Sequence, residues 1–191
     1  SSAASDVYKR QNQWNDINYN HVPSKANLKY RNAFLKHDEE RRQVYLASLE
    51  KGDDSVKINA NSMFLYDIVQ AYVKADSCWD SSLNPYDETL EQLWNAQESP
   101  KDYDDILVIR DGSGSMGAKL SGNSSVTALS VADSIALYCV QHNKNESFKN
   151  RFITFSNRPQ MVDISMCQTL RDKLRRLHRF DDYSNTDIEA T

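Results

Sequence analysis

An all-helical module followed by an α/β domain with a largely parallel sheet is the architecture this sequence predicts, on three observations. Between Val22 and Gln97 apolar residues recur at three- and four-residue steps, the period of a helix with one buried face. After Pro100 an unbroken apolar run, Ile106 to Ile109, opens onto a glycine- and serine-rich loop from Asp111 to Ser125. Val126 to Val140 is then apolar almost all round, with neither Pro nor Gly, as expected of a helix packed on a sheet. Strand, loop and helix in series begin an α/β fold. The helical module is assigned to residues 12–98 and the α/β domain to residues 104–191.

The opening SSAASDVYKRQ lacks an initiator Met and resembles translated sequencing-adapter sequence, so residues 1–11 are set aside as a non-native leader. Pro23 and Ser24 start the first predicted helix, with Ala26, Tyr30, Ala33 and Phe34 on its buried stripe. A second is expected over Asp38 to Lys51, with Val44, Tyr45, Leu46 and Leu49 inward and Gly52 as the stop. Ser62 to Ala75 predicts a third, on Phe64, Leu65, Ile68, Val69, Tyr72 and Val73. After Asn84-Pro85, Asp87 to Gln97 predicts a fourth, with Leu90, Leu93 and Trp94 inward.

In the second half, Ile106 to Ile109 reads as a parallel strand buried on both faces. Arg151 to Ser156 reads as a second strand, Asn157-Arg158-Pro159 as a turn and Gln160 to Ile164 as a short edge strand. Thr169 to His178 predicts an amphipathic helix on Leu170, Leu174 and Leu177. The closing TDIEAT stops where a further helix should begin, so the α/β domain is expected to be cut short at its C-terminal side.

Composition excludes some function classes. Hydrophobic residues make up 39% and charged residues 26%, the balance of a folded chain with a polar surface. The formal net charge of -4 has the wrong sign for non-specific coating of nucleic acid. Cys78, Cys139 and Cys167 show no C-x-x-C spacing, which predicts reduced thiols rather than a disulfide framework or a zinc site, and a cytoplasmic compartment. No stretch approaches the ~18 apolar residues of a membrane span, so no membrane partner is expected.

The segment DILVIRDGSGSMG carries the chemistry. Asp111, Ser113 and Ser115 place one carboxylate and two hydroxyls at alternate positions, and Gly112 and Gly114 allow the chain to turn so that they converge. Hard, partly neutral oxygen donors suit Mg²⁺ or Mn²⁺ rather than zinc. The carboxyl end of a strand is also where open α/β sheets place ligands. Competing readings are an ordinary glycine-serine turn and a serine nucleophile at Ser115. A phosphate loop is disfavoured because the G-x-x-x-x-G-K-[ST] pattern is absent. The nucleophile reading lacks the first Gly of G-x-S-x-G, replaced by Ser113, and would need His142 or His178 as base.

D-x-S-x-S after an apolar strand, in the form SGSM, resembles the metal-ion-dependent adhesion site of von Willebrand A (vWA) domains. The resemblance implies a Rossmann-like fold, a bound Mg²⁺ and a further Thr ligand from a second loop. Ser184-Asn185-Thr186-Asp187-Ile188 is similar to that second loop, which makes Thr186 the implied ligand. The family's last ligand, an Asp from one strand later, would lie beyond Thr191. NDINYNHVPSKANLKYRNAFLKHDEERRQVYL and INANSMFLYDIV resemble an uncharacterised domain-of-unknown-function family whose helices precede a vWA-like domain, similar in layout to TROVE-domain proteins of the Ro type.

The expected function is a non-enzymatic, cation-dependent binding module whose metal takes an acidic oxygen from a protein partner. The alternatives are RNA binding through the helical module, as the Ro-like layout implies, and a hydrolase using Ser115. Arg171, Lys173, Arg175, Arg176 and Arg179 form a basic helix that reads as a solvated face or a nucleic-acid contact. Trp14, Trp79 and Trp94 read as core aromatics before base-stacking platforms.

Overall fold

A computed structural model of the chain describes residues 13–74, 83–99, 105–122 and 124–181. The helices are α1 (Ser24–His37), α2 (Glu39–Glu50), α3 (Leu65–Tyr72), α4 (Glu88–Asn95), α5 (Ala128–His142) and α6 (Leu170–His178). The strands are β1 (Ile109–Asp111), β2 (Arg151–Phe155) and β3 (Met161–Asp163). They divide into two compact units: residues 1–64 with 87–98, and residues 65–86 with 99–191. Helix α3, read from the sequence as part of the helical module, thus belongs to the unit that contains the sheet.

The first unit is built from α1, α2 and α4 around aromatic side chains. Phe34 from α1, Tyr45 and Leu46 from α2, and Leu90, Leu93 and Trp94 from α4 are buried, as their spacing predicts. Asp87 begins α4 by accepting a hydrogen bond from the Leu90 N–H at 3.2 Å, satisfying one of the free donors of the first turn. Val44 departs from expectation and is 63% exposed. The inward stripe of α2 runs through positions 42, 45, 46 and 49, one helical period apart, and Val44 points the other way.

The stripe therefore turns Arg42 inward, where it is fully buried. Its guanidinium lies 4.8 Å from the Tyr19 ring centroid, 5.0 Å from that of Phe34 and 5.2 Å from that of Tyr45. Nη1 donates to Asn27 Oδ1 and Nη2 to Thr89 Oγ1, each at 3.1 Å. Burial pulls its pKa below the ordinary arginine value, and burial pushes the Tyr45 phenol up to about 12. The ring faces carry the partial negative charge that replaces water around the cation.

The second unit has one sheet in the order β1-β2-β3. β1 pairs with β2 in parallel, Ile109 opposite Ile153, and β3 joins β2 antiparallel at the edge, Ile153 opposite Met161. One face is buried under helices, with Phe152, Thr154 and Val162 inward beside Leu137 and Val140 of α5 and Leu170, Leu174 and Leu177 of α6. Thr127 and Thr169 begin α5 and α6 by accepting the N–H of Ser130 and Asp172. α3 lies against α5, and its Ile68, Val69 and Tyr72 are completely buried. Phe64, expected on its apolar stripe, precedes the helix and is exposed.

β1 corrects the sequence reading. It starts at Ile109, not Ile106, and it is not buried on both faces: Ile109 is 59% exposed and Leu107 is also exposed. Its buried residue is Arg110. Ile109, Ile153, Phe155 and Met161 all lie on the side of the sheet opposite the helices, since side chains alternate along each strand. Ile109, Phe155 and Met161 are exposed there and Ile153 is half-buried.

The alternation gives a direct test in neighbouring positions of β2. Phe152→Ala should cost about 3–5 kcal/mol, because it empties a packed site; Phe155→Ala, at a residue 67% exposed, should change stability by less than about 0.5 kcal/mol. Urea denaturation of the two variants measures the contrast. In the first unit, Arg42→Lys should lose about 2 kcal/mol or more, since an ammonium cannot stack on three rings while reaching both Asn27 and Thr89. A Lys variant as stable as the parent would show that the planar guanidinium is not what closes this core.

Candidate metal centre

Asp111 ends β1, so its side chain emerges at the carboxyl edge of a strand paired in parallel. The Ser113 N–H donates to Asp111 Oδ1 at 2.9 Å, folding the loop back over the strand end. A short 3₁₀ turn over Gly114–Gly117 follows, and the hydroxyls of Ser113 and Ser115 lie 3.1 Å apart. The Met116 N–H then donates to the Ser113 carbonyl and the Ala118 N–H to that of Ser115. Two further backbone bonds, Leu120 N–H to Val126 O and Ala128 N–H to Ala118 O, return the chain to the start of α5.

The structure thus brings together three of the four residues predicted as ligands. Thr186, with the segment 184–188, lies outside the described residues, as do Cys78, Trp79 and residues 1–11. Asp111 and Ser113 are half-buried and Ser115 is exposed. Asp111 Oδ2 has no partner among the described residues. One carboxylate and two hydroxyls form a hard oxygen set, which fits Mg²⁺ or Mn²⁺ with water filling the remaining positions. Among the described residues no three His, Cys, Asp or Glu side chains are grouped as a metal site. Within the loop from Asp111 to Ser125, Asp111 is the one carboxylate.

The other sequence candidates have partners elsewhere. His142 Nδ1 lies 2.9 Å from the Tyr138 carbonyl, and His178 Nε2 lies 3.0 Å from Asp133 Oδ2, so each histidine is engaged away from Ser115. On the basic helix Arg171 donates to the Asn84 carbonyl, Lys173 to Gln141 and Arg175 to Asp172, while Arg176 lies over the Phe180 ring. Trp14 and Trp94 are buried, and Trp14 stacks on His37 with ring centroids 4.6 Å apart.

Beneath the loop is a group that periodicity did not reveal. Arg110 is buried, with Nε 2.6 Å from Asp133 Oδ1 and Nη2 2.6 Å from Asp181 Oδ1, and Nη1 donates to the Leu177 carbonyl at 3.1 Å. His178 packs on the far oxygen of Asp133. A lone Arg in an apolar strand and a lone Asp in an apolar helix, Arg110 and Asp133, were the available signal: each requires a buried partner. Burial opposes every charge here, but Asp133 and Asp181 outweigh it and hold Arg110 above its ordinary pKa. Against its own burial, Asp133 is held low by Arg110 and His178. Burial leaves Asp181 raised in spite of Arg110.

His178 is pushed down by burial and up by its bond to Asp133 and by the charges of Asp133 and Asp181, with Arg110 opposing; the net shift is upward. It therefore holds its proton to a higher pH in the folded chain than in the unfolded one. The stability this contributes is fully present below the unfolded value, about 6.5, and is lost as pH rises through the folded value. Thermal unfolding should accordingly show a midpoint that falls as pH is raised above about 6.5, and His178→Gln should flatten that fall. An unchanged slope in the variant would mean that another group titrates.

Residues 105–191, which hold the Asp111 loop and the Arg110 cluster, match a family model described as Domain of unknown function (DUF7788). Residues 2–100 match one described as Domain of unknown function (DUF2828). No curated protein and no solved structure matches the chain. Because the second of these models covers more than half of the sequence, the chain belongs to the DUF2828 family.

Proposed function

We propose that the Asp111 loop is a divalent-cation site of the vWA type, and that through a bound Mg²⁺ or Mn²⁺ the protein holds an acidic group of a protein partner without catalysing a reaction. The observation that carries the reading is the convergence of the Ser113 and Ser115 hydroxyls, 3.1 Å apart, beside an Asp111 carboxylate folded over its own strand end. The parallel pairing of β1 with β2 supports it, since ligand sites of open α/β sheets lie at the carboxyl ends of such strands. By the family resemblance Thr186 adds a further hydroxyl.

The chemistry follows from the donor set. Neutral hydroxyls leave most of the cation's charge uncompensated, so a partner's carboxylate that takes an open coordination position gains strong electrostatic attraction. Arg110, close behind the loop, does not oppose this, because its charge is matched by Asp133 and Asp181. Affinity for the cation alone should be modest, since affinity in oxygen sites rises with ligand charge.

Thermal shift with added Mg²⁺ or Mn²⁺ tests the reading. Metal at about a hundred times its dissociation constant should stabilise the parent chain by about 2.7 kcal/mol. Asp111→Ala should abolish the response while leaving the metal-free melting point nearly unchanged, because its side chain faces the loop and not the core. Ser115→Ala should weaken it. Equal responses in parent and Asp111→Ala would remove Asp111 from any cation site.

A further inference from the structure

The buried cluster under the loop joins three chain segments: β1, α5 and the end of α6. Arg110 precedes Asp111 in β1, Asp133 lies in the second turn of α5, and Leu177 and Asp181 flank the end of α6. A guanidinium presents its donors in one plane, and here they are distributed among these segments: Nε and Nη2 to the two oxygens of Asp133, Nη2 also to Asp181, and Nη1 to the Leu177 carbonyl. Gly112 closes the arrangement from above. A Cβ there would lie 2.6 Å from Arg110 Nη1, 2.9 Å from Asp181 Oδ1 and 3.1 Å from the Phe180 carbonyl. The loop backbone is therefore seated on the ion cluster with no room for a side chain between them.

We propose that Arg110 is a positioning residue for the Asp111 loop: it clamps the stem of that loop to the chain leaving α6, holding Asp111, Ser113 and Ser115 in register with that segment. As a statement about a cation site, this rests on the reading given above. Asp181 lies just past the end of α6, so the clamp joins the stem of the Asp111 loop to that helix end. Asp133 fixes the guanidinium from α5, and Asp181 is the arm that reaches the second segment. Gly112 is required because its hydrogen is all that fits over the clamp.

The test uses the full chain without metal and reads amide hydrogen exchange. Asp181→Asn removes the charge that joins the two stems while leaving the Arg110–Asp133 pair in place. Gly112→Ala opens the same clamp from the loop side. In both variants amides of residues 112–118 should exchange roughly ten-fold faster than in the parent, beyond any change in β2 and α5, whose amides report opening of the whole unit. A role in general stability alone would move loop and core amides by the same factor, and that result, or an unchanged loop, overturns the proposal. Mn²⁺ titration of the same proteins separates the two readings. Weaker binding in both variants supports the clamp at a cation site. If the parent chain binds no Mn²⁺, the cation reading fails, and the exchange ratio still decides whether Arg110 positions the loop.

Discussion

A guanidinium that water cannot reach is the constraint around which each compact unit is arranged. Placing a charge in a nonpolar interior is costly unless the surroundings replace its hydration, and the two units meet that demand differently. Around Arg42 the replacement is neutral: three aromatic rings and the oxygens of Asn27 and Thr89. Around Arg110 it is ionic, with Asp133 and Asp181 both at 2.6 Å. Neither demand can be met from one element. Arg42 needs α1 and α4 in place, and Arg110 needs α5 and the end of α6, so each buried charge selects one packing of helices from the many that would bury the same apolar stripes.

The sheet shows why that selection matters in the second unit. With apolar residues on both of its sides, side-chain pattern alone does not say which side α5 and α6 should cover. Phe152 and Val162 point one way, and Ile109, Ile153, Phe155 and Met161 the other. Arg110 lies on the covered side, and its carboxylate partners stand on α5 and just beyond α6. An uncovered Arg110 would find water, but buried Asp133 would then lose its partner. The charge pair thus breaks a tie that hydrophobic burial leaves open.

Much of the fold was legible in the sequence because it depends on period. The stripes Leu90, Leu93, Trp94 and Leu170, Leu174, Leu177 are inward as spaced, and the short strand after Pro159 sits at the sheet edge. Errors arose where a polar residue occupies an inward position. Scanning α2 for apolar side chains selects Val44 and skips Arg42, although position 42 is on the stripe. Scanning the run before the glycine-serine loop selects Ile106 to Ile109 and stops before Arg110, the one buried residue of β1. The apolar face of α3 is compatible with either core, and its contact with α5 is tertiary and has no sequence signature. Of the candidate site, Asp111, Ser113 and Ser115 were legible as a motif, because they stand at alternate positions directly after an apolar run. The support beneath them was not, since Asp133 and Asp181 are 22 or more residues from Asp111 and share no spacing with it.

The position of the cluster also bears on the charge that a cation would meet. Arg110 is adjacent in sequence to Asp111, the one carboxylate of the loop from Asp111 to Ser125, and an unmatched guanidinium there would repel a divalent ion at close range. With two carboxylates on one arginine, the excess charge under the loop is negative when His178 is neutral and absent when His178 is protonated. His178 Nε2 is bonded to Asp133 Oδ2, while Nδ1 is buried without a hydrogen-bond partner. His178, on α6, is thus joined to the stem of the Asp111 loop by hydrogen bonds that pass through Asp133 and Arg110.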